Sequence, residues 1–500
     1  MQKRFKLWWL GLVLVLASFL RLYNLESAQQ FLGDQGRDVL IVAKIFKELD
    51  PVFIGPVTSI GNMYLGPLYY YFMAPWLWLS YPSPIGPAIA VAVLGILTVW
   101  LMYKLGRELV GEVPAMVATS LYAVSAVVIQ LTRFSWNPNP APLFGLLIIY
   151  SLSRVWKGDH KHWLWLGLWV SIILQLHYLI LLAVVAIGLV WLWLMYRNKT
   201  KLTRFRQLKY TSGAALIVLL SFLPLVLFDL KHNGLNIQAF SKLVFSNEGM
   251  HHGETQSIFG YLTRVLWEIH GRTMGILFEL FVGKLRWLNT VLIGVFGFGV
   301  YKWREQNKQS KSLMTGLLMI LILLGVGIIG TSFYGHSIFS HYISYLFPAV
   351  FLVYGLVIVG LWNWSVIGKL ASVGFLSLFV WFNATTINLK PAGWQIKDIQ
   401  ATAETIASRV GEAEEYAMVL ISPSGDLHGM NYKYFLYTLD REPLSFENIT
   451  QADTLFVINE MDEPLDLESS PVNEIMVFPN KTPEEVYRIP GGPEITVLRK

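Results

Sequence analysis

Long apolar runs alternate with short basic clusters along the first 383 residues, and this texture ends at Lys390-Pro391. Runs long enough to cross a bilayer as helices, about 20 residues each, fall near 7–22, 85–103, 113–131, 140–153, 163–176, 179–196, 212–229, 287–301, 313–331, 343–362 and 366–383. Basic residues cluster at 3–6, 104–107, 154–161, 197–209 and 302–311, with Lys369 alone near the end. Lys and Arg in short loops are retained on the cytoplasmic side, so placing every cluster inside pairs the apolar runs. One run resists the pairing. Residues 66–81 (GPLYYYFMAPWLWLSY) are short, carry Pro67 and Pro75, and are rich in Tyr and Trp. They predict an interfacial helix along the outer leaflet. About eleven transmembrane helices follow, with the amino terminus cytoplasmic and the carboxyl end extracytoplasmic. Lys3, Arg4 and Lys6 ahead of the first run read as an uncleaved signal anchor.

Beyond residue 390 the pattern predicts a helix over 399–410. Short β-like stretches follow at 417–422, 454–458, 474–478 and 495–498. The expected organisation is an all-α polytopic membrane domain over 1–385 and a small α/β extracytoplasmic domain over 390–500. The formal charge of +6 hides a division: residues 398–500 hold 19 of the 33 acids and 7 of the 39 cations. The basicity of the membrane part follows from loop topology, which gives no reason to expect nucleic acid as a partner. The chain has no cysteine, which excludes disulfides, thiolate metal sites and cysteine nucleophiles.

Candidate chemistry gathers in the outer loops. Just after the first span stands Gly33-Asp34-Gln35-Gly36-Arg37-Asp38, opening a helical stretch over 37–49. Asp34, Arg37 and Asp38 would share one helix face at that spacing. Such a set is either an N-cap aspartate with solvated charges or a general base beside a cation. The same loop carries Asn62 and Tyr64, and the second carries Arg133, Asn137 and Asn139. Arg133 alone also reads as a snorkelling anchor. A tight turn carries His177, either as a cap or as a ligand. Asp229-Leu230-Lys231-His232-Asn233 reads equally as a helix C-terminus or as a phosphate site. His251-His252, His336 and His341 complete the outer polar set.

With these motifs in this order, the chain resembles the GT-C glycosyltransferases that use polyprenyl-phosphate sugars. The likeness is to their family 39, protein-mannosyltransferase-like and aminoarabinose-transferase-like branch. It rests on Gly33-Asp34-Gln35, on Gly66-Pro67-Leu68-Tyr69-Tyr70, on Arg133-Phe134-Ser135-Trp136-Asn137 and on Phe228-Asp229-Leu230-Lys231-His232-Asn233, and covers residues 1 to about 385. The resemblance implies an inverting transfer of a sugar to a lipid, glycan or protein hydroxyl at the outer face of a cell membrane. Asp34 falls on the position of the catalytic base, with Gln35 and Asp38 supporting the motif. Arg37, Arg133, His177, Lys231 and His232 are the expected cations for the donor phosphate. Two positions depart from the family pattern. Gln35 stands where a second acid is frequent, and Asn137 and Asn139 stand where an Asp is frequent. A divalent metal stays open, and no other cofactor is implied. Three other readings share some of these features: a lipid-linked sugar carrier without chemistry, a glycan ligase or polymerase, and an inactive scaffold for the acidic tail.

Overall fold

The computed structural model describes residues 2–58, 63–245, 258–334, 337–411, 414–461 and 463–500. Asn62, His251, His252 and His336 lie outside the described residues. Two compact units form. One comprises Met1–Tyr23, Val52–Tyr69 and Ile89–Asn388, and the other Asn24–Pro51, Tyr70–Ala88 and Leu389–Lys500.

The larger unit is helical, and all eleven expected apolar segments lie on helices. Two of them are broken. The segment 212–229 divides into Lys201–Ser221 and Leu223–Lys231, bent by 50°. Pro224 stands in the first turn of the second piece, where it cannot donate an N–H back into the first. The segment 113–131 divides into Glu112–Ala123 and Ala126–Leu131. Backbone groups freed inside a membrane need partners, and here two buried side chains supply them. Arg21 donates to the carbonyl of Ala123 (3.0 Å), and the N–H of Ala126 donates to Asn383 Oδ1 (2.6 Å). Among the described residues six helices are long and apolar enough to cross a membrane, and the bent pair, taken as one span, makes a seventh. The shorter Ala141–Trp156 and His162–Leu174 are apolar too. This is a multi-pass membrane protein.

The centre of this unit is the Ser340–Trp362 segment, whose apolar window is 94% buried against 28% for Val366–Thr386. Other parts of the chain therefore surround the first, while most of the second faces outward. The Phe347–Trp362 helix packs on Arg286–Asn307 and on Glu112–Ala123. A Cβ placed on Gly360 would stand 2.3 Å from the carbonyl oxygen of Gly299, so the backbones meet through a small residue, as membrane helices commonly do.

The smaller unit contains a four-stranded sheet in the order β1-β2-β4-β3, with β1 Tyr416–Ile421, β2 Thr454–Asn459, β3 Glu485–Arg488 and β4 Glu494–Arg499. β1 and β2 are parallel, with Tyr416 opposite Thr454, and β4 runs antiparallel to both of its neighbours. Ala417, Val419, Leu455, Val457 and Leu498 fill the core with Ile475 and Phe478. Three expected strands are present. The fourth, 474–478, is instead part of a short helix, Asn473–Val477. Ile475 and Phe478, three apart, both reach the core, and that spacing is helical rather than alternating. β3 escapes the hydropathy pattern because it is an exposed edge strand of sequence EVYR. The helix expected over 399–410 forms at Ile396–Ala407.

Two further helices matter for the chemistry. The one expected over 37–49 runs from Gly33 to Lys47, capped at Leu32. Asp34 therefore lies inside the first turn, and the N-cap reading of this aspartate is corrected. The apolar run 66–81 forms the helix Leu68–Ser80, 13 residues long. At 1.5 Å per residue it spans roughly 20 Å, short of a hydrocarbon core of about 30 Å.

Candidate active site

The Asp34 helix starts on a side-chain cap of its own. Gln35 Oε1 accepts from the N–H of Leu32 at 2.7 Å, reaching back as the third residue of a capping box does. This places Asp34 in the first turn of a helix with a fixed start, its side chain 57% exposed. One turn on, Arg37 Nη1 donates to Asp34 Oδ1 at 2.9 Å. The same guanidinium donates from Nη2 (2.8 Å) and Nε (3.0 Å) to Asp38 Oδ1. Tyr70, from the Leu68–Ser80 helix, donates its hydroxyl to that oxygen at 3.2 Å. Asp38 is 1% exposed and its Oδ2 is buried without a hydrogen bond. Burial lifts the Asp38 carboxyl to about 6, against the opposing pull of Arg37. Burial also works against the Arg37 charge, but Asp38, Tyr70 and Asp34 outweigh it and hold the guanidinium protonated. The result is a graded chain: Tyr70 and a buried carboxylate fix a cation, and the cation holds one oxygen of an exposed carboxylate.

The face shared by Asp34, Arg37 and Asp38 is as expected from their spacing. Arg37, expected at the donor phosphate, here directs three N–H groups to carboxylates. The guanidinium bridges the two acids, where a cation held by both would have to sit. Among the described residues no group of three His, Asp or Glu is arranged to hold a metal ion. The residues present do not fit a carboxylate-held metal.

The remaining expected cations belong to the larger unit. Arg133 is buried and donates to the carbonyls of Leu20 and Tyr23, both at 2.9 Å, which holds the end of the first helix. His177 is buried. Its Nδ1 accepts from the N–H of Leu179 (3.2 Å), and its ring lies against Tyr178 and Tyr342 at 4.7 and 4.4 Å. Burial, aided by His341, lowers its pKa to about 3, so the imidazole is neutral at physiological pH. The two loop asparagines are structural: Asn137 donates to the carbonyl of Leu176 and Asn139 to that of Phe134. Lys231 and His232 are exposed at the end of the Leu223–Lys231 helix, with the His232 ring stacked on Phe228 at 4.1 Å.

Just before Lys231, Asp229 turns inward. Its carboxylate accepts from the N–H groups of Asn236 (2.6 Å) and Ile237 (3.3 Å), capping the Leu235–Phe245 helix. Asn236 in turn pairs with both backbone groups of Tyr64. This knot forms part of the wall of a cavity of about 540 Å³. The rest is mainly apolar, with Met63, Leu174, Leu181, Phe222, Val226 and Phe240 among its lining. Asn236 is not singled out by the sequence, and Tyr70 enters there only within the Gly66–Tyr70 motif, with no role toward Asp38. Asn236 follows Asp229 by seven residues across a turn, and Tyr70 meets Asp38 from 32 residues away.

Comparison with solved structures bears on the fold. The ArnT of Cupriavidus metallidurans bound to undecaprenyl phosphate superposes with a TM-score of 0.58 at 12% identity, over 99% of this chain and 98% of that one. Its apo state gives 0.56 with the same coverage. The chain has the GT-C fold. The apo oligosaccharyltransferase of Archaeoglobus fulgidus is similar at a TM-score of 0.50 and 12% identity, over 87% of this chain and 64% of that longer one. The family model of dolichyl-phosphate-mannose-protein mannosyltransferases matches residues 66–228. That match takes in Arg133 and His177 and leaves Asp34 and Lys231 outside. No curated protein matches the chain by sequence. The solved structures bear out the expected GT-C fold, and the family-model match bears out the expected enzyme class, a glycosyltransferase.

Proposed function

We propose that this GT-C protein transfers a sugar from a polyprenyl phosphate to a hydroxyl acceptor with inversion, using Asp34 as general base. The observation that carries the reading is the Asp34 carboxylate itself. It is exposed on a first helical turn, and one oxygen is held by a cation that is itself fixed by a buried acid. The ion pair orients the carboxylate, and its exposed side can take a hydroxyl proton. The acceptor oxygen then attacks the anomeric carbon as its proton passes to Asp34. The bond from that carbon to the phosphate oxygen breaks, and polyprenyl phosphate leaves.

Positive charge develops on the sugar and negative charge on the leaving phosphate, where a fixed cation is worth most. Among the expected cations Lys231 suits this role. It is exposed, and its neighbours Asp229, Leu230 and Asn233 line the apolar cavity. His232 stands beside it as a second donor. Arg133 and His177 suit positioning better, since the first is engaged by two carbonyls and the second is neutral. The cavity, with its aliphatic and aromatic walls, suits part of an isoprenoid chain. The ArnT structure holds undecaprenyl phosphate, which supports a lipid of that class as the donor carrier. The topology read from the basic loops supports catalysis on the outer face of the cytoplasmic membrane.

The test compares polyprenyl-phosphate sugars by mass spectrometry in membranes of cells carrying wild-type protein, Asp34→Asn, or none. A glycolipid that accumulates without the protein and with Asp34→Asn, but not with wild type, is the expected result. Identical profiles from equally expressed proteins would reject the reading.

A further inference from the structure

Within the smaller unit, the helix Met430–Thr438 of the C-terminal region lies directly against the Asp34 helix. The approach is backbone to backbone. A Cβ placed on Gly36 would stand 2.2 Å from the backbone nitrogen of Asn431, so residue 36 has room for a hydrogen only. Phe31, which leads into the Asp34 helix, sits edge-on to the rings of Tyr434 and Phe435. At the far end of the helix Lys44 pairs with Glu442 at 2.8 Å, and Tyr437 donates to Glu48 at 2.7 Å.

One contact is more specific than packing. The buried side-chain amide of Asn431 donates to the carbonyl of Phe31 at 3.0 Å. The N–H of the same peptide unit, on Leu32, donates to Gln35 at 2.7 Å. A single peptide plane, two residues ahead of Asp34, is thus held at its oxygen by one side-chain amide and at its nitrogen by another. Rotation of that plane would swing the first turn that carries Asp34. The remaining oxygen of Asn431 is buried with no hydrogen bond, a cost a packing residue would not need to carry. Leucine has a similar volume and would fill the same space.

We propose that the C-terminal domain is a working part of the transferase, and that Asn431 is a positioning residue that sets the orientation of Asp34 through the Phe31–Leu32 peptide. The inference rests on the proposed role of Asp34. Displacing a reacting group by about 1 Å can cost on the order of 10²-fold in rate. Loss of the Asn431 bond should therefore lower kcat about ten- to a hundredfold while leaving the KM for the lipid donor within twofold.

The experiment uses the full-length protein in detergent and, as donor, the glycolipid accumulated by the Asp34→Asn strain. Asn431→Asp is nearly isosteric and sets an acceptor against the Phe31 carbonyl. Asn431→Ala removes the amide and serves where the aspartate variant does not accumulate. Rates are taken per folded molecule, from the monodisperse peak in gel filtration. Gln35→Ala and the double variant complete a cycle. Two residues acting on one peptide give losses that overlap, so the double variant should be little worse than the worse single one. A merely structural Asn431 would lower yield and melting temperature, leave kcat per folded molecule unchanged, and add independently to Gln35→Ala. Either wild-type kcat in both Asn431 variants or additive losses would overturn the proposal. Failure of the wild-type protein to consume any polyprenyl-phosphate sugar would overturn the glycosyltransferase reading as well, and so is distinguishable.

Discussion

Replacing Asp38 by Asn should separate stability from activity. Asp38 is buried, and its carboxyl rises from an ordinary 3.8 to about 6 despite two hydrogen bonds from Arg37. The unfolded chain releases this proton near pH 4 and the folded chain near pH 6. Between those values the folded state binds the extra proton, so stability falls as pH rises through the window and stays lower above it. The gap corresponds to about 3 kcal/mol at neutral pH. A neutral isostere removes this term. Breaking a buried ion pair acts in the opposite direction and costs about 3–5 kcal/mol when it strands a charge. Here the charge is not stranded, because Arg37 keeps Asp34 and is 22% exposed. The burial term should win, and Asp38→Asn should melt at or above the wild-type temperature at pH 8 with no gain at pH 4. Activity should move the other way. With Asp38 neutral, the whole guanidinium charge falls on Asp34 and competes with the acceptor hydroxyl for that carboxylate. A fall of about tenfold in kcat is expected, a fraction of the 10²–10⁴ that a general base contributes. Wild-type kcat should drop as pH falls through about 6, and the variant should lack that limb. Melting curves and initial rates between pH 5 and 8 test both halves. A variant that loses stability and activity together, or that keeps the wild-type acid limb, would refute the argument.

Asp34→Asn should retain folding and lose roughly 10²–10⁴ in transfer rate, read with the accumulated glycolipid as donor; normal turnover would remove Asp34 from the mechanism. Lys231→Ala should weaken binding of undecaprenyl phosphate about tenfold or more, as expected for the loss of one charge-assisted bond. Titration by intrinsic Trp fluorescence would detect this, and unchanged affinity would move the phosphate elsewhere. Arg133→Ala removes the bonds to Leu20 and Tyr23, and should destabilise the protein by about 2–4 kcal/mol. Its folded fraction should turn over near the wild-type rate, whereas a large kcat loss at full stability would make Arg133 a substrate ligand.

What the sequence made legible was what is local. Span helices follow from length and hydropathy, and the shared face of Asp34, Arg37 and Asp38 follows from spacings of three and four residues, whereas the pair of Arg37 with the adjacent Asp38 does not. Some short-range signals still misled. The run 474–478 satisfies both strand and helix, and only the burial of Ile475 and Phe478 in one core separates them. β3, with exposed Glu485 and Arg488, lacks the apolar face that marks a strand. The breaks at Val124-Ser125 and Phe222 sit inside runs whose hydropathy stays high across them, so hydropathy alone does not register them, although Ser125 and Pro224 mark both places in the sequence.

The orientation of the candidate base belongs to another class. Asp38 is placed by Tyr70 from 32 residues away, and the peptide ahead of Asp34 by Asn431 from 400 residues away. No periodicity relates such positions, since the fold alone brings them together. Gln35 shows how the two classes meet. In the sequence it stands where the family frequently has a second acid. In the structure its amide oxygen accepts from Leu32, which a carboxylate oxygen could equally do. The exchange of acid for amide therefore preserves the cap and removes one negative charge beside Arg37. That leaves the guanidinium balanced between Asp34 and the buried Asp38 rather than drawn toward a third carboxylate. On this argument Gln35 is compatible with an active site, and the charge a second acid would carry resides one turn later, on Asp38.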